Sequence, residues 1–272
     1  VLDKNFHFKE FCNLDNSPDA DYLMASMDVM YSLDSIQTIK KRSVNAMNLQ
    51  AGDLVLEVAC GTGEDAELAA EIVGKSGAVT AIDLSKRMIA EARRRSTHSN
   101  VAYAVEDATK LNYANDSFSA CHADRFLVSH ADYKSLFKEI IRVVKPGGTI
   151  CITDVDALSI GIYPYTQATQ IILAQLHESF VNPFMGRALP HLFVSTGLQD
   201  VKVTPEISII RSFEVLNKIF QFSKITKESV KKGHLTQEAS EKWFEEMYSA
   251  EKTGGFLYCL TLFTVSGRVR GR

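Results

Sequence analysis

Between residues 53 and 156, short β-branched apolar runs alternate with stretches of helical spacing, and that alternation restricts the chain to few folds. Strands are read near 53–59 (DLVLEVA), 78–82 (AVTAI), 101–105 (VAYAV), 118–123 (FSACHA) and 148–153 (GTICIT), with helices near 64–74, 85–96 and 132–144. Ser85 and Asp132 stand where N-caps belong, and Lys145-Pro146-Gly147-Gly148 is a hard stop for the third helix. Strands that are apolar along nearly their whole length need cover on both faces. The expected fold class is therefore α/β, with a doubly wound, parallel sheet. Such a sheet takes its ligand beyond the carboxyl ends of the strands, where the strand order reverses.

Outside this core the pattern changes. Residues 18–49 carry helical spacing through Leu23, Met24, Met27, Met30, Tyr31, Ile36 and Ile39, which predicts one or two covering helices. Residues 157–196 read as helical and irregular, 198–210 as a strand, 213–250 as a polar helical region, and FLYCLTLFTV at 256–265 as a last strand. No repeat or low-complexity linker divides the chain. A single domain over 1–272 is expected, with a helical cover (1–50), a ligand-binding core (51–156), and substrate-side helices with the last two strands (157–272). At least one of the segments 18–31 and 213–250 should close over the ligand.

The kind of ligand is bounded by charge and cysteine usage. A formal net charge of −3 provides no basic footprint for a phosphate backbone, so nucleic acid is not expected and a small molecule is. Cys12, Cys60, Cys121, Cys151 and Cys259 are scattered without a C-x-x-C pair and read as reduced thiols of a cytoplasmic protein, with no metal expected. No apolar run reaches the roughly 18 residues needed to span a bilayer, and no charged-then-apolar leader opens the sequence.

The ligand's place is marked by LVLEVACGTGEDAELAA, residues 54–70. Gly61-Thr62-Gly63 after the first strand lets the backbone approach a ligand, and the next helix presents its N-terminal N–H groups. GTGEDA also satisfies the nicotinamide pattern G-x-G-x-x-[GA], so the turn alone leaves the cofactor open. Asp83, ending the second strand, suits both hydroxyls of an adenosine ribose in either case. Glu106-Asp107-Ala108 after the third strand discriminates, because a carboxylate there can meet an exocyclic amine of adenine. Glu57 adds negative charge beside the turn, which suits a sulfonium and an amino group better than a pyrophosphate.

In this order and spacing, LEVACGTG, AIDLS, VEDATKL, DRFLVSH and RVVKPGGTI resemble the successive motifs of class I S-adenosylmethionine-dependent methyltransferases, of the small-molecule kind called type 11 and related to the ubiquinone/menaquinone methyltransferases. The resemblance covers about residues 50–156, and continues more weakly through NPFMGRALPHLFVSTGLQDVKV and FLYCLTLFTVSGR. It implies a Rossmann-like, seven-stranded sheet whose last strand is antiparallel, with helical additions over the strand ends. It also implies S-adenosyl-L-methionine as cofactor and S-adenosyl-L-homocysteine as product. Glu57, Gly61 and Gly63 would surround the methionine moiety, Asp83 the ribose, Leu84 and Met88 the faces of the adenine, and Asp107 and Ala108 its edge. Asp124 and Arg125 would lie near the sulfonium. The Asn-Pro-Pro-aromatic tetrad of enzymes that methylate exocyclic or amide nitrogens is replaced by HADR, which turns the reading away from such acceptors.

In-line methyl transfer requires alignment, exclusion of water and, for some nucleophiles, a base. His130, which begins the loop after the fourth strand, is the first candidate base, followed by His122 and Asp154. Tyr163, His177 and Arg187 are placed where the acceptor should approach. Two other readings stay open at this point. A protein of this fold can bind the cofactor without methyl transfer, as a cyclase-like catalyst or an interaction subunit. A nicotinamide oxidoreductase would need an acid–base set, and the Tyr-x-x-x-Lys at Tyr248–Lys252 lies far from its usual place.

Overall fold

A computed structural model describes residues 8–271. A 3₁₀ segment, Phe8–Asn16, leads into α1 (Ala20–Tyr31) and α2 (Asp34–Ala46). The alternating core follows as β1 (Leu54–Val58), α3 (Glu64–Val73), β2 (Ala78–Asp83), α4 (Lys86–Arg95), β3 (Val101–Val105), β4 (Phe118–Asp124), α5 (Tyr133–Val143) and β5 (Val144–Tyr163). The remainder is α6 (Gln167–Glu178), α7 (Met185–Ser195), β6 (Gln199–Ile210), α8 (Phe213–Phe220), α9 (Phe222–Lys231), α10 (Gln237–Lys252) and β7 (Leu257–Arg268).

Among the described residues the sheet has seven strands in the order β3-β2-β1-β4-β5-β7-β6. β1 pairs in parallel with both β2 and β4, whereas β7 runs antiparallel to β5 and β6. The order reverses between β1 and β4, so the crevice of a doubly wound sheet opens above their carboxyl ends. Both faces of the central strands are covered, which is why Val55, Leu56 and Val58 of β1 and Ile150, Cys151 and Ile152 of β5 are wholly buried.

The helices begin where the side chains dictate. Ser85 Oγ accepts from Met88 N–H (3.2 Å) and caps α4, and Asp132 accepts from Ser135 N–H (3.2 Å) and caps α5. Helices α8 to α10 are bound together by rings: Phe213 meets Trp243 edge-on at 5.4 Å and stacks on Phe222 at 5.8 Å. Burying such a side chain contributes on the order of 2–3 kcal/mol, and the Tyr22 hydroxyl of α1 ties α8 to α1 by donating to the Lys218 (2.9 Å) and Ile219 (2.8 Å) carbonyls.

One segment differs from the sequence reading. Residues 157–163, read as the start of a helical and irregular region, prolong β5 to Tyr163, whose partner is Leu257 of β7. The inward side chains Ala157, Ile160 and Ile162 are buried there, and the ladder is broken by a bulge between Asp156 and Gly161. The bulge shifts the side-chain alternation, which hides a strand from a period-two reading.

Candidate functional site

Two glycines shape the turn after β1, and Gly61 forms part of the floor of the crevice. Gly61 and Gly63 have φ of +53° and +97°, and a Cβ on Gly63 would sit 2.7 Å from the Tyr103 hydroxyl, so a larger residue there would be strained and would have to displace that ring. Ala59 and Arg125, after β1 and β4, also have positive φ (+55° and +51°). Non-glycine residues adopt this conformation at a cost of about 1 kcal/mol or more and collect at functional sites. Here they flank the point where the strand order reverses.

Above this floor lies a cavity of about 210 Å³. Its acids, Asp83, Glu106, Asp107 and Asp124, end or follow β2, β3 and β4, on one side of the sheet, with Leu84, Met88 and Ala108 next to them in sequence. Toward the other side, Val155 of β5 and Leu260 of β7 line it, and Phe180, Ile219 and Phe220 add apolar surface, so the strand order separates an acidic end from an apolar one. Phe11 and Cys12, together with Ser26, Met27, Met30 and Tyr31 of α1, line it too, so the cavity draws on both the N-terminal segment and α8. Asp15 ties that segment down, since its carboxylate accepts from Lys86 N–H (2.8 Å) and Arg87 N–H (3.3 Å) at the N-terminus of α4.

The acids are held as acceptors. Asp83 Oδ2 takes Gly61 N–H (3.0 Å) and Oδ1 takes Ser85 N–H (2.9 Å), so one carboxylate orients both the glycine turn and the start of α4. Burial raises its pKa in spite of those bonds. Glu106 Oε1 accepts from the Tyr113 hydroxyl (2.9 Å), while Oε2 is buried without a hydrogen-bond partner. Burial also opposes ionisation of Asp124, but Arg125 and then Lys40 outweigh it and hold the carboxyl down at about 2.

His130 lines the same cavity. Its Nδ1–H donates to the Phe126 carbonyl (2.9 Å), which leaves Nε2 as a lone-pair acceptor. Burial lowers its pKa, so the ring is neutral near pH 7.

Of the residues singled out from the sequence, Gly61, Asp83, Leu84, Met88, Asp107, Ala108, Asp124, Arg125 and His130 share the cavity. Glu57, Gly63, His122, Asp154, Tyr163, His177 and Arg187 are not among its lining residues. Gly63 faces a neighbouring cleft beside Thr62 and Glu64. Glu57 and His122 form a buried pair (Nδ1 to Oε2, 2.9 Å), with Ser43 Oγ on the other ring nitrogen. Burial disfavours the imidazolium, but Glu57 more than offsets this and lifts His122 to about 9, and both ring nitrogens are engaged, by Glu57 and Ser43. Tyr163 is exposed at the end of β5, and Arg187 Nε bonds Asp156 Oδ2 (2.6 Å) beside the β5 bulge. His177 lies on α6 with its Nε2 buried and without a hydrogen-bond partner among the described residues. The sequence reading missed Cys12, Asp15 and Lys40. Only the acidic Asp15, five residues before α1, carried any local signal of a capping role, and its helix lies some 70 residues away.

Asp154 acts behind the cavity. Its buried carboxyl accepts from Val128 N–H (3.0 Å) and Val155 N–H (2.9 Å), which pins the turn leading to His130. Burial pushes it up to about 7, from 3.8 for a free aspartate. The native chain thus keeps a proton that the unfolded chain has released. Its contribution to stability is complete below about pH 4 and is lost as the pH rises through about 7. The melting temperature should fall between about pH 4 and 7 and level off above that, and Asp154→Asn should remove most of that slope while lowering the overall level. An equal slope in the variant, followed by thermal unfolding across this range, would assign the pH dependence elsewhere.

Comparison with known proteins agrees with this geometry. A family model described as a methyltransferase domain matches residues 55–148. The chain is 32% identical over 198 residues to a demethylmenaquinone methyltransferase of Shouchella clausii, covering 65% of this chain and 84% of the relative. It is 28% identical over 243 residues to an uncharacterized 37.1 kDa protein in transposon TN4556 of Streptomyces fradiae, covering 88% and 69%. Its fold matches the YcgJ protein of Bacillus subtilis with a TM-score of 0.61 at 15% identity, over 87% of this chain and all of that one.

Proposed function

Because the chain belongs to the class I S-adenosylmethionine-dependent methyltransferases, we propose that it methylates a small, partly apolar acceptor of the quinol type, with S-adenosylmethionine held at the acidic end of the cavity and the acceptor at the apolar end. The observation that carries the reading is one cavity lined by the acids that end or follow β2, β3 and β4 and by apolar side chains of β5, β7 and α8, with His130 on its wall.

The residues fit the cofactor. Asp83 retains acceptor capacity beyond its two backbone partners, which suits ribose hydroxyls. Glu106 Oε2 and Asp124 Oδ1 are buried acceptors without partners, which suits amino groups. Four carboxylates against the single Arg125 guanidinium would repel a pyrophosphate, so a nicotinamide dinucleotide fits poorly. Bound there, S-adenosylmethionine supplies a methyl group already activated by its sulfonium. The chain's own part is to orient both ligands, to exclude water with α1 and α8, and to take a proton on His130 Nε2 when the acceptor hydroxyl or ring carbon must lose one. Phe180, Ile219 and Phe220 supply the apolar wall for a quinol ring and the start of its tail. The S. clausii relative, named for demethylmenaquinone, supports that acceptor class.

Among the described residues no helix is long and apolar enough to cross a membrane. All five cysteines are free thiols, which supports a cytoplasmic setting. The test is incubation with methyl-labelled cofactor and reduced demethylated naphthoquinols of increasing tail length. Label is expected in the quinol, with kcat/KM rising over the first isoprene units. Transfer to small polar amines with none to quinols would overturn the acceptor class.

A further inference from the structure

The carboxylate of Asp124 is used one-sidedly. Lys40 Nζ of α2 lies 3.3 Å from Oδ2, and Arg125 donates to the same Oδ2 through Nε (3.1 Å) and Nη2. Lys40 is buried, 6% exposed, and its other partner is Asp65 Oδ2. Tyr31 lies against both cations, 4.3 Å from Lys40 Nζ and 5.1 Å from Arg125 Cζ at the ring centroid. Asp124 Oδ1 is left buried without a hydrogen-bond partner, on a residue that lines the cavity.

A guanidinium beside a carboxylate ordinarily forks across both oxygens. Here the Lys40 ammonium shares Oδ2 with Arg125, and the fork does not form. We propose that Lys40 is a positioning residue: by occupying Oδ2 together with Arg125, it keeps Oδ1 of Asp124 free to accept from the ammonium at the amino-acid end of the cofactor. This rests on the function proposed above. An ammonium has N–H groups to give this oxygen, whereas a sulfonium has none. Without Lys40, Asp124 turns to take Arg125 through both oxygens, and Asp65 loses its cation. The acceptor is then lost even though the local charge has become more negative.

The test compares two ligands by calorimetry near pH 7. S-adenosylhomocysteine carries the amino-acid end; 5′-methylthioadenosine lacks it. Lys40→Met should weaken S-adenosylhomocysteine about tenfold more than methylthioadenosine, the size of one charge-assisted hydrogen bond. Asp124→Asn should do the same, and in the double variant the Lys40 change should add nothing further. Lys40→Arg should restore most of the difference. If Lys40→Met does not fold, Lys40→Gln carries the comparison, with a loss of about threefold. Equal weakening of both ligands, tighter S-adenosylhomocysteine binding, or additive losses in the double variant would overturn the proposal while leaving the proposed function intact. A wild-type protein that binds neither ligand would overturn both.

Discussion

Asp83→Ala is expected to weaken S-adenosylhomocysteine binding by at least about 10²-fold while the chain still folds. Two hydrogen bonds from ribose hydroxyls to a charged acceptor are worth about 1.5–3 kcal/mol each, and both vanish with the carboxylate. A second loss compounds the first. The same carboxylate accepts from Gly61 and Ser85 N–H, so its removal frees the glycine turn that shapes the cavity floor. Asp83→Asn, which keeps one acceptor oxygen, should fall between the two. Unchanged calorimetric affinity in Asp83→Ala, with a cooperative thermal transition, would move the ribose away from β2.

His130→Ala is expected to lower turnover by about 10²–10⁴-fold and to leave S-adenosylhomocysteine affinity nearly unchanged, because a general base acts in the transition state. The ring is prepared for that role by the Phe126 carbonyl, which fixes the proton on Nδ1, and by burial, which keeps the ring neutral near pH 7. Since its pKa lies below the usual 6.5, the acid limb of the rate profile should fall below that pH. Cys12 is near, 3.8 Å from Nε2, but burial pushes its thiol up to about 11, which removes it as a competing base. Normal turnover in His130→Ala, with a flat profile from about pH 5 to 9, would reassign the ring to packing against Phe126.

The parts of this site that were legible in the sequence are those governed by local pattern. Continuous apolar strands, the glycine turn, and the Ser85 and Asp132 caps each depend on residues a few positions apart, and each lies where the sequence reading puts it. The acids at the ends of β2, β3 and β4 share one cavity because parallel strands end at one edge of the sheet. What was not legible depends on packing between distant segments. Lys40 meets Asp124 across 84 positions of sequence, and helical spacing marks α2 as a helix without saying which strand end it covers. Arg187 likewise lies in a stretch read only as helical and irregular, yet it bonds Asp156 beside the β5 bulge, a feature that period-two counting cannot see.

The central claim is that the acidic end of the cavity holds S-adenosylmethionine, and direct calorimetry on the wild-type chain tests it most simply. One-to-one binding of S-adenosylmethionine and S-adenosylhomocysteine, with no heat from a nicotinamide dinucleotide, is the predicted result. Tight binding of the dinucleotide with none of S-adenosylmethionine would contradict the account.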